Sequence, residues 1–265
     1  MRINGSIIGS VVTSSALSAT GVWGLQNVEL ANRLNIWPGF HVTSGLILNL
    51  DTSNVSSYPG SGTVWYDLSG NNNGTLTNGP TFSSANGGSI VFDGTNDYVS
   101  VAYNATLNTP TGATYEIWFK PTIGTTGAFL TRGTSDSGAT PDNPRFIVYN
   151  TGKLYFDWSS PGADVYLETA TGVVTLGIWN QVLGIATPST QLRTFVNGVE
   201  TTYATRVNTL PSTLPNTSTP LEIGATTWAP SYFNGNIAIV RLYNRTLTAN
   251  EIQQNFNAAR ARFGV

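Results

Sequence analysis

The chain has 265 residues and a formal net charge of -2, and only 10% of its residues are charged. Globular proteins usually carry about 25% charged residues. We therefore expect uncharged residues, mainly Ser, Thr, Asn and Gly, to form most of the solvent-exposed polar surface. So little basic charge argues against nucleic-acid binding. A chain with no cysteine and one histidine cannot form a disulfide framework, a zinc–cysteine cluster or a thiol nucleophile. No apolar run approaches the length of about 20 residues that spans a bilayer, so we expect no membrane insertion.

Residues 1–40 are predicted to form a segment of their own, an extended arm followed by a short helix. Residues 1–20 are rich in Ser, Gly, Thr and Ala without periodicity, which indicates the arm. Residues 21–37 carry apolar side chains at helical spacing. Because so short a helix is marginal alone in water, its apolar side chains need a partner surface, on the main domain or on another chain. The predicted anchoring or oligomerisation residues are Trp23, Leu30, Leu34 and Trp37.

Residues 41–265 are predicted to form one all-β domain, since the apolar period changes from helical to alternating at Gly45. Many short strands separated by turns rich in Asn, Gly and Pro favour a two-sheet antiparallel sandwich. Asn197-Gly198 and Asn150-Thr151-Gly152 predict two hairpins. The strand candidates span residues 46–50, 89–93, 98–101, 113–120, 129–132, 145–150, 153–158, 164–168, 179–186, 192–197, 221–224 and 235–243.

Two further features complete the prediction. Glu116 and Lys120 lie within an alternating strand, and we expect both side chains to face solvent. At the C-terminus, Thr248 and Glu251 have the spacing of a capping box and predict the start of a helix. Its apolar stripe consists of Ile252, Phe256, Ala259 and Phe263.

Four segments, in this order, resemble the core strands of laminin-G-like, concanavalin A-like lectin/glucanase domains. They are GSIVFDGTNDYV at 88–99, ATYEIWFKP at 113–121, the stretch from WNQV at 179–182 to LRTFVNGV at 192–199, and GNIAIVRLYNRTL at 235–247. The resemblance extends over about residues 45–260 and implies a jelly-roll sandwich.

A second resemblance concerns residues that precede the first of these four segments. WYDLSGN at 65–71 and GTLTNGP at 74–80 are similar to such domains in structural proteins of tailed phages, notably marine ones. GVWGL at 21–25 and IWP at 36–38 are similar to the leaders of those virion proteins. This resemblance implies a non-enzymatic protein on the virion surface, either a capsid decoration or a tail or fibre component. It also implies that residues 1–40 attach to other virion proteins or form a homo-oligomer, by analogy a trimer.

Three other functions remain open. The displayed domain would bind host-surface glycans weakly through many copies. The main alternative is a secreted bacterial carbohydrate-binding lectin module, for which a chain that begins near Gly21 is expected. A glucanase is less favoured, because retaining enzymes need two carboxyl groups about 5–5.5 Å apart. The aromatic strand offers Glu116 alone, and a Pro161-Gly162 turn separates Asp157 from Asp164.

The turn from Asp93 to Asp97 is the candidate metal site. It places two carboxylates and an amide around Gly94, and calcium prefers such oxygen ligands. The resemblance also implies calcium, since laminin-G-like domains often hold it near the rim of the sandwich. Both carboxylates would equally serve an Asx-turn that needs no ion.

Loop aromatics are the candidate sugar-binding residues, because lectin sites place an aromatic ring against the apolar face of a sugar. Trp228 and Tyr232 are the main candidates, and their loop gives them no obvious core role. The competing interpretation is that these rings cap the ends of the sandwich. The other loop aromatics weighed are Tyr58, Tyr103 and Trp158.

Overall fold

A computed structural model describes residues 40–133, 144–160, 163–227 and 230–265. The described chain divides into two compact units, Thr43–Leu247 and a smaller unit that includes residues 40–42 and Thr248–Val265. The predicted N-terminal helix, with Trp23, Leu30, Leu34 and Trp37, lies outside the described residues. Within the described ranges, every helix is too short or too polar to cross a bilayer.

The larger unit consists mainly of short β-strands. Their bounds are β1 Leu46–Asp51, β2 Val64–Trp65, β3 Gly74–Thr77, β4 Thr81–Ser83, β5 Ser89–Asp93, β6 Tyr98–Val101, β7 Ala113–Pro121, β8 Gly127–Arg132, β9 Arg145–Val148, β10 Leu154–Ser160, β11 Ala163–Thr169, β12 Asn180–Ala186, β13 Arg193–Val196, β14 Val199–Glu200, β15 Tyr203–Val207, β16 Leu221–Ile223, β17 Ala225–Thr226, β18 Ser231–Tyr232 and β19 Asn234–Tyr243. Short 3-10 helices occupy Ala85–Gly87 and Ala105–Leu107.

In the described part of the chain, these strands form two large antiparallel sheets. The eight-stranded sheet has the order β14-β13-β12-β7-β19-β5-β4, and β1 pairs with β19 as well. The nine-stranded sheet has the order β15-β11-β10-β9-β8-β16-β6-β3-β2. A small hairpin of β17 and β18 accompanies them. The order differs from the sequence order, so the sheets depend on pairing between distant segments.

The hydrophobic core lies between the two sheets. Apolar side chains alternate along the strands, and the inward-facing set of both sheets forms one cluster. Aromatic pairs join the sheets across this cluster: Phe119 of β7 stacks on Phe129 of β8 with ring centroids 4.7 Å apart, and Tyr115 of β7 meets the edge of Trp158 of β10 at 6.1 Å. The predicted two-sheet antiparallel sandwich is therefore confirmed, and the architecture is that of a concanavalin A-like jelly roll.

Both predicted hairpins are confirmed. Asn197 and Gly198 have φ values of 52° and 78°, which the two-residue turn between β13 and β14 requires. Gly152, with φ 71°, supplies the left-handed residue of the turn between β9 and β10.

The smaller unit contains the C-terminal helix α1, Ala249–Phe263. The Thr248 side chain accepts a hydrogen bond from the Glu251 amide, and the Glu251 side chain accepts one from the Thr248 amide, so the predicted capping box is confirmed. The Asn255 carboxamide accepts a hydrogen bond of 2.7 Å from the Val42 amide, which ties residues 40–42 to the helix. The predicted apolar stripe, Ile252, Phe256, Ala259 and Phe263, is buried.

Candidate functional site

Three connections meet at one end of the sandwich. They are the turn at 93–97 after β5, the loop at 122–126 between β7 and β8, and residues 232–234 at the junction of β18 and β19. Strand register brings them together, because Asn234 pairs with Asp93 and Gly235 pairs with Pro121. Residues more than a hundred positions apart thereby become neighbours.

The three connections enclose a shallow groove of about 290 Å³. Its lining residues include one tyrosine, several threonines and an asparagine. The described residues that line this rim groove are Gly94, Thr122, Ile123, Gly124, Thr125, Thr126, Tyr232 and Asn234. The groove is therefore mostly polar, and Tyr232 and the highly exposed Ile123 are the largest residues at it.

Asn234 holds the rim groove together. Its Nδ2 donates to the Asp93 carbonyl at 3.1 Å, and its Oδ1 accepts from the Thr122 hydroxyl at 2.8 Å. Its backbone carbonyl accepts from the Thr125 hydroxyl at 3.0 Å. Gly94 has φ +78°, and a Cβ there would come within 2.8 Å of the Asn234 Cβ. The close approach thus requires glycine and seats the turn directly on Asn234.

Tyr232, a predicted sugar-binding residue, is among the residues that line the groove, and its role in binding stays a prediction. Its position is fixed by its strand. The Ser231 hydroxyl accepts a hydrogen bond of 3.2 Å from the Ala128 amide of β8. A Cβ on Gly127 would lie 2.3 Å from the Tyr232 carbonyl oxygen, so β18 lies tightly against β8. Trp228, the other candidate ring, lies outside the described residues.

The remaining loop aromatics do not join this groove. Tyr58 and Trp158 are 4% and 1% exposed and belong to the core, so neither ring is available to a sugar. Tyr103 is 46% exposed but follows β6, whose other end adjoins the 93–97 turn, and it therefore lies at the opposite end of the sandwich.

The turn from Asp93 to Asp97 is held by its own hydrogen bonds. The Asp93 Oδ1 accepts from the Thr95 amide at 2.7 Å, and this bond lowers the pKa of Asp93. The Asp97 Oδ2 accepts from the Asp93 amide at 3.1 Å. Burial raises the pKa of Asp97, and the negative charge of Asp93 raises it further. At neutral pH, the exposed Asp93 is an anion at the edge of the groove.

The oxygens of this turn are already engaged in hydrogen bonds within the protein. The Asp93 and Asn96 carbonyls accept hydrogen bonds from Asn234 and Asn78, in addition to the two carboxylate bonds. Among the described residues, no three His, Cys, Asp or Glu side chains come close enough to hold an ion together. Hydrogen bonding accounts for the placement of both carboxylates, and calcium at Asp93 and Asp97 stays a prediction.

Glu116 is completely buried, so the prediction that it faces solvent is wrong. It lies on the face of β7 opposite to the core residue Tyr115. Its Oε1 accepts hydrogen bonds from Trp118 Nε1 at 3.0 Å, Gln181 Nε2 at 2.9 Å and Arg241 Nη1 at 3.3 Å. This carboxylate is engaged inside the protein and is shielded from a saccharide in solvent. The alternation along β7 correctly predicted that Glu116 does not point into the core between the sheets. It could not predict that the other face of β7 is also buried at this position.

Sequence reasoning missed the Thr122–Thr126 loop and Asn234. The threonine-rich loop after the aromatic strand was a visible signal of a polar surface. Nothing local indicated that this loop faces the Asp93 turn, because their proximity depends on β19 lying between β5 and β7.

A family model described as the concanavalin A-like lectin/glucanases superfamily, of laminin G type, matches residues 93–253. Solved structures with the same fold include a Trypanosoma rangeli sialidase in complex with a difluorosialic acid, with 18% identity and a TM-score of 0.61 over 82% of this chain and 33% of the sialidase. The chain therefore spans about a third of that enzyme. No curated protein matches the sequence.

Two further structures are similar over a larger share of their own length. Domain 4 of an extracellular arabinanase from Geobacillus stearothermophilus, solved with arabinotriose, has 15% identity and a TM-score of 0.56 over 81% of this chain and 99% of that domain. The binding domain of paraclostridial mosquitocidal protein 1 has 15% identity and a TM-score of 0.62 over 81% of this chain and 52% of that chain. At these identities the similarity concerns the fold alone. Since the family model takes in more than half of the chain, this protein belongs to the concanavalin A-like lectin/glucanases superfamily.

Proposed function

We propose that this protein binds carbohydrate in the rim groove and catalyses no reaction. The observation that carries the proposal is the grouping of Tyr232 with Asn234, Thr122 and Thr125 in one open groove. A saccharide presents an apolar face to an aromatic ring and hydroxyls to amides, carbonyls and hydroxyls. Trp228, the other candidate ring, lies outside the described residues, and its part in sugar binding stays a prediction from the sequence.

The placement of the carboxylates supports a binding protein rather than a glycosidase. Retaining glycosidases need two carboxyl groups about 5–5.5 Å apart beside the substrate. No acidic side chain is among the described residues that line the rim groove. Glu116 is buried against Arg241, and Asp157 pairs with Arg145 at 2.6 Å. These carboxylates are engaged by arginines, which suits structural roles.

The test of carbohydrate binding is a Tyr232→Ala variant with Tyr103→Ala as the matched control, since Tyr103 is an exposed tyrosine at the opposite end. A glycan array with the full chain identifies the saccharides that bind, and isothermal titration calorimetry measures their affinity. We expect Tyr232→Ala to weaken binding about tenfold, which is about 1.4 kcal/mol, and Tyr103→Ala to leave it unchanged. Equal loss in both variants, or no loss in Tyr232→Ala, contradicts the proposed site, and an array without any bound glycan contradicts the proposed function.

The proposed setting of this activity is the surface of a phage virion, where the protein is a capsid decoration or a tail or fibre component. Its support is the resemblance of residues 21–25, 36–38, 65–71 and 74–80 to virion proteins. Residues 1–40 would attach the domain to other virion proteins or build a homo-oligomer, by analogy a trimer, through Trp23, Leu30, Leu34 and Trp37. Many copies on one particle would turn weak binding of host glycans into strong attachment.

Incorporation into particles tests this setting against the alternative of a secreted bacterial lectin module. Deletion of residues 1–40, and separately the double substitution Trp23→Ala and Trp37→Ala in the full chain, should abolish incorporation while glycan binding persists. Circular dichroism checks that both variants fold. Normal incorporation of the deletion variant, or secretion of the chain by a bacterium without particles, contradicts the virion setting and leaves the rim groove untouched.

A further inference from the structure

We infer that the rim groove selects saccharides that carry an N-acetyl group, because one loop at its edge presents an exposed isoleucine between a hydrogen-bond acceptor and a hydrogen-bond donor. The three residues are Ile123, Thr122 and Thr126, which all line the groove. An acetamido group has the matching parts, namely a methyl group, an N–H donor and a carbonyl acceptor. The inference rests on the proposed carbohydrate binding and specifies the ligand class of that same site.

The first argument is the exposure of Ile123. The Thr125 amide donates a hydrogen bond of 3.1 Å to the Thr122 carbonyl, and Gly124 has φ 89°, which fits a type II turn over residues 122–125. Ile123 occupies the second position of this turn and is 78% exposed. Turns favour Gly, Pro, Asn, Asp and Ser, so neither the turn nor the core accounts for a branched apolar side chain here.

Hydrogen bonds to Asn234 fix this turn in place. The Thr122 amide donates to the Asn234 carbonyl at 3.0 Å, and the Thr122 hydroxyl donates to Asn234 Oδ1 at 2.8 Å. The Thr125 hydroxyl donates to the same carbonyl at 3.0 Å. The backbone that carries Ile123 is therefore ordered before a ligand arrives, which reduces the entropy cost of binding.

The apolar surface at Ile123 extends to a neighbouring segment. A Cβ on Gly177 would lie 3.1 Å from Ile123 Cγ1, so the isoleucine side chain lies beside the Gly177 backbone. The Gly177 amide donates to the Pro121 carbonyl at 2.8 Å, which ties this segment to the end of β7. Ile178 follows directly and is 48% exposed. A ligand methyl group that contacts Ile123 would remove apolar surface from water.

The second argument is the hydrogen-bonding capacity on either side of Ile123. The Thr122 hydroxyl gives its one proton to Asn234 Oδ1, so it offers lone pairs to a ligand. The Thr126 hydroxyl accepts a hydrogen bond of 3.0 Å from the Asn150 amide, so its own proton stays available. Both threonines are exposed.

An acetamido group uses all three features at once. Its N–H would donate to the Thr122 hydroxyl, its carbonyl would accept from the Thr126 hydroxyl, and its methyl group would cover Ile123. A sugar hydroxyl in the same place would satisfy a threonine but would leave the isoleucine exposed to water. The N-acetylated sugar should therefore bind more tightly than its hydroxyl counterpart.

The experiment measures, by isothermal titration calorimetry, the affinity of the full chain for pairs of glycans that differ only in this group. The pairs are chitotetraose with cellotetraose, N-acetyllactosamine with lactose, and methyl N-acetylgalactosaminide with methyl galactoside. For every pair that binds, we expect the N-acetylated member to bind at least tenfold more tightly. In saturation-transfer NMR of the native chain, the acetyl methyl protons should receive the strongest saturation.

Variants of Ile123 locate the cause. Ile123→Ser removes the apolar side chain from an exposed position and should lower the affinity ratio at least threefold, whereas Ile123→Val retains two methyl groups and should keep most of it. The matched control is Val199→Ser, which alters a residue of β14 that is 68% exposed and is not among the residues that line the groove. It should leave the ratio unaltered. If Ile123→Ser fails to fold, the saturation of the acetyl methyl protons in the native chain decides.

The outcomes separate the inference from the proposed function. Equal or tighter binding of the hydroxyl members, with binding still lost in Tyr232→Ala, overturns the inference and leaves the proposed function standing. An unchanged ratio in Ile123→Ser, or an equal change in Val199→Ser, also overturns it, because the preference would then arise elsewhere. Weak saturation of the acetyl methyl protons has the same consequence. A glycan array without any bound saccharide refutes the proposed function itself.

Discussion

Replacement of Glu116 by alanine should strongly lower the free energy of unfolding, because the Glu116 carboxylate neutralises a buried arginine. Arg241 is 3% exposed, and Glu116 is fully buried. After the substitution, Arg241 would keep Asn49 Oδ1 at 3.1 Å and the Asp51 carboxylate at 3.7 Å. The indole N–H of Trp118 would lose the bond that it makes to this carboxylate.

The expected cost follows from these contacts. Removal of one partner of a buried ion pair costs about 3–5 kcal/mol, and each buried donor left without an acceptor adds about 1–3 kcal/mol. Because a domain is stable by only about 5–15 kcal/mol, Glu116→Ala should lose a large part of its stability. Glu116→Gln retains an acceptor oxygen and should lose less. The double variant Glu116→Leu with Arg241→Met removes both charges and should recover most of the loss.

Urea denaturation, followed by tryptophan fluorescence, measures these differences. The single variants Glu116→Leu and Arg241→Met, measured beside their double variant, complete a double-mutant cycle. A loss below about 1 kcal/mol in Glu116→Ala, or additive losses in the double variant, would refute the buried pair. A β-glucan hydrolysis assay belongs beside it, since hydrolysis that disappears in Glu116→Gln would restore the glucanase alternative.

Four further predictions concern packing, capping, calcium and pH. Gly184→Ala places a Cβ 2.0 Å from a phenylalanine ring of β9, and it should lower the free energy of unfolding by at least about 1–3 kcal/mol in urea denaturation. The control is Gly70→Ala, whose Cβ would lie 3.4 Å from its nearest neighbour. It should change the free energy of unfolding by less than about 0.5 kcal/mol. Thr248→Ala removes the helix cap and should cost about 1 kcal/mol. Calcium should raise the melting temperature of the native chain but not of Asp97→Asn, and a melting temperature indifferent to calcium and chelator would remove this site. Protonation of Asp93 should destabilise the fold as pH falls through its lowered pKa, whereas protonation of Asp97, whose pKa is raised, should favour the fold; acid titration of Asp97→Asn separates the two.

The features that the sequence revealed are local ones. The Asn197-Gly198 turn, the cap at Thr248 and the alternation in β7 each depend on residues a few positions apart. Strands of two residues, such as β2 and β17, have no period that a pattern could reveal, since they exist only through their pairing with β3 and β18.

The features that could not be predicted from the sequence depend on contacts between residues far apart along the chain. Glu116 and Arg241 are separated by 125 positions, and Asp93 and Asn234 by 141. No local pattern could indicate that a carboxylate within a strand finds an arginine, or that the Asp93 turn faces a threonine-rich loop. Tyr232 was accessible to sequence reasoning because it is an aromatic residue in a turn-rich stretch, whereas its neighbours in the groove required the strand order.

The most direct test of the carbohydrate site is a titration of the isotopically labelled full chain with a neutral oligosaccharide, followed by amide chemical shifts. The account predicts that the shifts which change first belong to residues 93–97, 122–126 and 232–234. Changes confined to the opposite end of the sandwich, around Tyr103, would contradict it, as would spectra that do not respond to any glycan identified as bound.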